Sequence, residues 1–400
     1  MRRYASGWSL VLVLLSSAAI AEPKRPAGNT CAPGGPGFVM HRVGTFRGEA
    51  CDVGDFNGDG KLDIVAGPYV YLAPEFKSLE IRKLEGTVDE QGKGYCHDFM
   101  NLPLDVDGDG RLDVVSCFWH EKKCSWFRNP GVKGRLWEEK LIEQNGNFEC
   151  GDLWDIDGDG RALEILPHVQ RTVWYERGKL ADGTPGMVAH LVSEKPITFG
   201  GGVGDVNGDG RPDILRPGAW YEAPADPRKG SWKEHPLALG DKDEKKVDHT
   251  AQIVVYDVNG DGRNDILASS AHKYGIWWYE QTGDRVVPQW KRHLIDDSWT
   301  QAHSITLVDM NGDGVKDFVT GKRFMAHNGH DPEEFSPLGV YWYELTRGTT
   351  PKWTKHVICS NEGIGAALNI PVVDLDGDGD LDVVVTGKFG GPVWFENKAK

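Results

Sequence analysis

Short apolar runs, each only a few residues long, recur along the chain in groups of four. One group opens with Ile253-Val254-Val255-Tyr256, crosses an acidic turn, and resumes at Asp265-Ile266-Leu267. Its third run carries Trp278-Tyr279-Glu280, and its fourth pairs Trp290 with His293. Runs this short, rich in β-branched and aromatic residues and bounded by Gly and Asp, predict strands rather than helices. The aromatic signature returns as Trp174-Tyr175-Glu176, Trp220-Tyr221-Glu222, Trp342-Tyr343-Glu344 and Trp394-Phe395-Glu396. The fourth-run signature returns as Trp232 with His235 and Trp353 with His356. Four strands per unit of about 50 residues is the pattern of one propeller blade.

Between the first and second runs lies an acidic turn, and there are seven such turns. They read DFNGDGKLD from Asp55, DVDGDGRLD from Asp105, DIDGDGRALE from Asp155, DVNGDGRPD from Asp205, DVNGDGRND from Asp257, DMNGDGVKD from Asp309 and DLDGDGDLD from Asp374. Their spacings are 50, 50, 50, 52, 52 and 65 residues, which marks an internal repeat. Side-chain oxygens at positions 1, 3, 5 and 9, with the carbonyl at position 7, suit calcium, which takes six to eight oxygen ligands. The glycines at positions 4 and 6 let the chain turn tightly. The expected ligands are Asp55, Asn57, Asp59, Lys61 and Asp63 in the first loop. In the second they are Asp105, Asp107, Asp109, Arg111 and Asp113, and in the third Asp155, Asp157, Asp159, Arg161 and Glu164. The fourth and fifth offer Asp205, Asn207, Asp209, Arg211 and Asp213, then Asp257, Asn259, Asp261, Arg263 and Asp265. The last two offer Asp309, Asn311, Asp313, Val315 and Asp317, then Asp374, Asp376, Asp378, Asp380 and Asp382. Residues at position 7 contribute only their carbonyls. The third loop departs from the pattern: Leu163 stands at position 9 and Glu164 comes one residue late.

The last unit stops after its third strand, at Glu396-Asn397. A matching fourth strand stands at the other end of the chain, from Phe38 to Val43, with His41 in the place of the recurring His. The expectation is an all-β, seven-bladed β-propeller over residues 37–400, its ring closed by that N-terminal strand. The loops resemble the FG-GAP/VCBS-type repeats of extracellular propellers, among them integrin α-chains and many bacterial secreted proteins. The resemblance covers residues 38–397 and implies the propeller and its calcium; it leaves function open, because this fold hosts enzymes, adhesins and scaffolds alike.

Two arginines, an apolar stretch centred on Leu10 to Leu15, and a small-residue ending at Ala21 predict a signal peptide over residues 1–21, followed by a linker over 22–36. The apolar stretch falls short of the ~20 residues that span a bilayer. A secreted or periplasmic monomer without a membrane span follows. The net charge of −15 argues against a nucleic-acid partner. Seven cysteines leave at least one unpaired in any disulfide scheme, and Cys117 with Cys124 is a candidate pair within one hairpin.

Histidine carries the remaining chemistry. His41, His190, His235, His293 and His356 recur on fourth strands and read as structural. The other eight, His97, His120, His168, His249, His272, His303, His327 and His330, do not recur and map to the face opposite the acidic loops. The longest insertion brings Lys322 and Arg323 there, Lys388 follows in the next blade, and Tyr274 follows His272. No paired carboxylates stand out beyond the loops. The candidate catalytic set is therefore His249, His303, His97, His272, Lys322, Arg323 and Tyr274. Imidazole bases beside cations fit proton abstraction next to a carbonyl, which is β-elimination on carbohydrate. By analogy, this is similar to propeller polysaccharide lyases and to the propeller of fungal aldos-2-ulose dehydratases, whose additional domains this chain lacks. A second metal, held by His249, His303 and another His, is an alternative use of the cluster. The competing reading is a non-catalytic module that binds a glycan or another extracellular ligand. One solvent-filled pocket lined by His97, His249, His272, His303 and Lys322 would favour the enzyme; scattering would favour the binding module.

Overall fold

The second strand of each unit explains the architecture. Asp63–Ala66, Asp113–Phe118 and Asp382–Val385 are buried at every residue. A strand covered on both faces reads as a continuous apolar run rather than an alternating one. In the computed structural model, which describes residues 37–132, 134–348 and 350–398, the covering comes from the neighbouring blades. The fourth strands lie outermost and mix exposed with half-buried positions, as in Pro288–Thr300.

Among the described residues the strands form seven four-stranded antiparallel sheets and one small hairpin of Gly86–Val88 with Gly94–Cys96. The fifth sheet is typical, running Val254–Tyr256, Asp265–Ser269, Tyr274–Gly283 and Pro288–Thr300 from axis to rim. The seventh joins Val372–Val373, Asp382–Val385 and Gly391–Asn397 to Phe38–Phe46 from the opposite end of the chain. Met40 pairs with Phe395 and His41 with Trp394, so the outer side of Gly391–Asn397 is not a bare strand edge.

Seven apolar clusters each join two neighbouring blades. Leu166 and Trp174 of the third blade pack with Ile214 and Tyr221 of the fourth. Ile64 and Tyr71 of the first pack with Val384 and Trp394 of the seventh. The recurring His residues staple the outer strands. His235 stacks on Trp220 with ring centroids 4.0 Å apart, and its Nε2 lies 2.9 Å from Glu222. His41, His190, His293 and His356 stack on their own Trp and bond to their own Glu in the same way.

One expectation needs correcting. Cys117 and Cys124 do stand opposite each other, but no disulfide joins them. Cys117 Sγ is directed at the next blade, where it lies 3.3 Å from the Glu149 carbonyl oxygen. Cys31 and the leader and linker over residues 1–36 fall outside the described residues.

Candidate functional site

Each acidic loop is built around its first carboxylate. Asp55 accepts hydrogen bonds from the N–H groups of Gly58, Asp59 and Gly60, at 2.7, 3.1 and 2.8 Å. Gly58 and Gly60 have φ of 75° and 82°, and a Cβ on either would meet nothing within 4 Å. The left-handed backbone, not lack of space, requires glycine there. Asp63 at position 9 is buried and accepts from Phe56 N at 3.0 Å and Ala73 N at 2.8 Å, tying the loop to the third strand. Asp113, Asp213, Asp265, Asp317 and Asp382 repeat both bonds. In the third loop Glu164 does half of this work, accepting from Ile156 N at 3.0 Å: its extra methylene makes up for the inserted residue. Burial raises these carboxyls, Asp63 to about 6 and Asp113 and Asp213 to about 7. At position 7, the side chains of Arg111, Arg161, Arg211 and Arg263 bond back to the position-5 aspartates. Oxygen atoms of Asp105, Asp107 and Asp113 lie within 4.8 Å of one another, as do those of Asp155, Asp157 and Glu164, and of Asp374, Asp376 and Asp382. All-oxygen donor sets of this kind fit a hard cation such as calcium.

A second assembly forms where the innermost strands begin. The residue six places before each loop's first Asp is Glu49, Phe99, Glu149, Phe199, Ala251, His303 or Leu368 in the successive blades. Two of these bond to Arg323, which follows the second strand of the sixth blade and is buried. Its Nε and Nη2 bond to Glu49 at 2.8 and 3.2 Å, and its Nη1 lies 3.4 Å from Glu149. His303 Nε2 lies 3.3 Å from the same Glu149 oxygen. His272 packs edge-on against His303, and His327 stacks on His272. Asp331 holds both His272, at 3.2 Å, and His327, at 2.9 Å. Burial drives His272 down to about 4 and, together with Arg323, lowers His303, so both imidazoles are neutral. Burial by itself would raise Glu49 and Glu149; Arg323 outweighs it at Glu49, and His303 first and then Arg323 outweigh it at Glu149, so both carboxyls stay low.

The structure scatters the remaining candidates. His249 touches the cluster only through the edge of His272, at 5.5 Å, and packs on Phe199. His97 stacks on His120 and bonds to Glu121 at 2.6 Å, in a separate pair. Lys322 is buried but turned away, donating to Thr300 Oγ1 at 2.7 Å and the Glu333 carbonyl at 2.9 Å, and burial lowers it to about 8. Tyr274 is exposed at the start of its strand and makes no hydrogen bond or ring contact with these groups. His168 is buried against Cys150 and pushed down to about 3 by burial, while His330 is exposed. Lys388 lies over the Tyr95 ring and donates to the Met325 carbonyl at 2.7 Å.

Paired carboxylates do exist outside the loops, contrary to the sequence reading. Glu49 and Glu149 are one pair. Asp52 and Asp152 are another, three residues further along the same two inner strands. The repeated Glu-x-x-Asp of Glu49 to Asp52 and Glu149 to Asp152 was a readable signal. Asp52 and Asp152 line an axial cavity of about 420 Å³ together with Trp154, Gln252, Thr306 and Asn369. Gln252, Thr306 and Asn369 are pinned to backbone groups of neighbouring strands. Burial raises Asp52 to about 8 and Asp152 to about 7, so near neutrality Asp52 is largely protonated and Asp152 partly so.

Blades, acidic loops and axial cavity define a β-propeller with repeated cation-type turns. Residues 105–166 and 257–320 match the FG-GAP-like repeat, and these matches together with the seven blades support an FG-GAP-repeat propeller. A stretch of 117 residues, 29% of this chain, is 32% identical to the Arabidopsis thaliana "Probable calcium-binding protein CML31" and spans 63% of that protein, less than two thirds of its length. Among solved structures, the Vibrio cholerae biofilm matrix protein Bap1 is 12% identical, with 89% of each chain covered and a TM-score of 0.43. A luciferin-regenerating enzyme is 13% identical, covering 81% of this chain and 99% of that one, with a TM-score of 0.45. BBS1N, solved in complex with ARL6DN, is 9% identical over 91% of this chain and 97% of that one, with a TM-score of 0.49. Likenesses this distant carry no argument about function. Among the described residues no helix is long and apolar enough to cross a membrane.

Proposed function

We propose that this is an exported propeller, loaded with about one calcium ion per blade, that binds a carbohydrate-type ligand in its axial cavity. One observation carries the reading: two carboxyls raised by burial, Asp52 and Asp152, in a cavity of about 420 Å³ beside amide, hydroxyl and indole groups. A protonated carboxyl both donates and accepts, which matches a sugar hydroxyl, and an indole offers a stacking face. The calcium ions would sit on the first, third, fifth and ninth side chains of each loop, with Glu164 serving in the third. Their contribution is rigidity, because a cation offsets the repulsion of carboxylates crowded into one turn. The scattering of His97, His249 and Lys322 supports a binding module over the expected catalytic surface cluster. Binding is tested by calorimetric titration of the calcium-loaded protein against neutral and uronic-acid oligosaccharides. Asp52→Asn together with Asp152→Asn should abolish the heat of binding, and heat unchanged by these substitutions would place the ligand elsewhere.

β-Elimination remains a second reading, favoured by the same pair, since carboxyls raised to about 8 and about 7 can exchange protons with a substrate near neutral pH. It predicts unsaturated products absorbing in the ultraviolet when the protein meets uronic-acid polysaccharides or oxidised sugars. Binding without absorbance change would leave the module reading alone.

A further inference from the structure

The axial cluster contains an imidazole with nothing to bond. His303 is 1% exposed, and neither ring nitrogen has a hydrogen-bond partner. Its Nε2 is 3.3 Å from Glu149 Oε1 but poorly aligned for a hydrogen bond. Leaving a buried polar group unsatisfied is costly, and native proteins rarely do so without a ligand to fill the gap. Two further donors face the same point. One donor atom from each of Glu149, His272 and His303 lies within 4.8 Å of the others, and all three residues are buried. They come from the third, fifth and sixth blades, so the folded ring alone assembles them.

The surroundings orient these donors as metal ligands are oriented. His272 Nδ1 is held by Asp331 at 3.2 Å, which leaves Nε2 for an ion. Asp331 is in turn fixed by His327 at 2.9 Å and through its own N–H to Glu334 at 3.0 Å. Glu149 is steadied by Arg323, and Arg323 by a two-point bond to Glu49. A carboxylate behind a ligating histidine is the usual outer support of a metal site. Glu49 and Glu149 share the Arg323 guanidinium, and Asp331 pairs with His272 and His327, so carboxylates back the donors on both sides.

We propose that Glu149, His272 and His303 bind one divalent transition-metal ion of the zinc class. Two imidazoles and one carboxylate suit zinc or cobalt(II), whereas calcium prefers the oxygen-only loops. Three protein donors leave a fourth position open, as in zinc sites that polarise a ligand. The site uses none of the residues that line the axial cavity, so it stands or falls apart from the carbohydrate reading.

The test is a cobalt(II) titration of the chelator-stripped protein in saturating calcium, followed by visible absorption and elemental analysis. The expected result is tetrahedral-type absorption that saturates at about one equivalent and is displaced by zinc. His303→Ala should lose the absorption while keeping its calcium. Asp331→Asn, which changes only a positioning residue, should fold and bind cobalt about 10–100-fold more weakly. His327→Ala should retain the absorption. A wild-type protein without saturable absorption overturns the proposal. So does absorption that survives in His303→Ala, or that is lost only in His327→Ala. If His303→Ala does not fold, the wild-type titration and Asp331→Asn decide the question.

Discussion

Replacing Asp52 with Asn should stabilise the protein at and above neutral pH and change little below pH ~4. The folded carboxyl is raised from 3.8 to about 8, with burial as the main cause and Asp152 adding to it. A carboxyl raised by folding contributes stability that is fully present below its unfolded pKa. That contribution is lost as pH climbs through the folded value. Between pH ~4 and pH ~8 the unfolded chain has ionised and the folded one has not, at about 1.4 kcal/mol per pH unit, or about 6 kcal/mol in all. Asp52 is half-buried, and water in the cavity reduces this to an expected ~1–2 kcal/mol. Asparagine is never charged, and its carbonyl can still accept the Val53 N–H, now 2.8 Å away. The assay is thermal melting of wild type and Asp52→Asn from pH ~4 to pH ~9, with calcium saturating so that the loops stay constant. The two curves should start together and diverge as pH rises, the variant melting higher. Because Asp52 and Asp152 titrate as a pair, the double variant should flatten the remaining slope. Parallel curves would refute the reasoning.

Further outcomes follow from the loops and the rim. Chelating calcium should lower the melting temperature and re-adding it should restore it, each loop contributing ~2.7 kcal/mol at a hundredfold excess over its dissociation constant; melting indifferent to chelator would remove calcium from the fold. Glu164→Ala should cost ~1–3 kcal/mol in denaturant unfolding, because the buried Ile156 N–H loses its acceptor; a change below ~0.5 kcal/mol would show that Glu164 does not do the work of a ninth-position Asp. Deleting residues 22–45 removes most of the strand that pairs with Gly391–Asn397, so light scattering should report aggregation; an equally stable monomer would contradict the pairing argument. His235→Ala removes a stacked ring and a bond to Glu222 and should cost ~1 kcal/mol; an unchanged denaturation midpoint would make the recurring His decorative.

The blade was legible because its determinants are local. Position 9 of each loop, the Trp-Tyr-Glu run and the recurring His all act within one unit of about 50 residues, so period and composition expose them. Glu164 was legible as a departure, and its reach to Ile156 is what a longer side chain allows. The axial chemistry was legible only in part. His272, His303 and Arg323 do meet, but Glu49, Glu149 and Asp331, which hold them, did not stand out. Lys322 stands next to Arg323 in sequence yet points to Thr300, because neighbours on a strand face opposite sides of the sheet.

Sequence by itself determined the seven units, the acidic loops and the four-strand blade, since each follows from hydrophobic period and turn chemistry inside one repeat. Tertiary structure decided which non-repeating residues share the axis. Glu49, Glu149 and His303 hold the same place in blades one, three and six, hundreds of residues apart at the extreme, and the ring carries them to one point. It also decided which of them stay charged. Burial lowers His272 and His303, while Arg323 keeps Glu49 low and His303 with Arg323 keeps Glu149 low, and both effects depend on distances that exist only once the blades have packed.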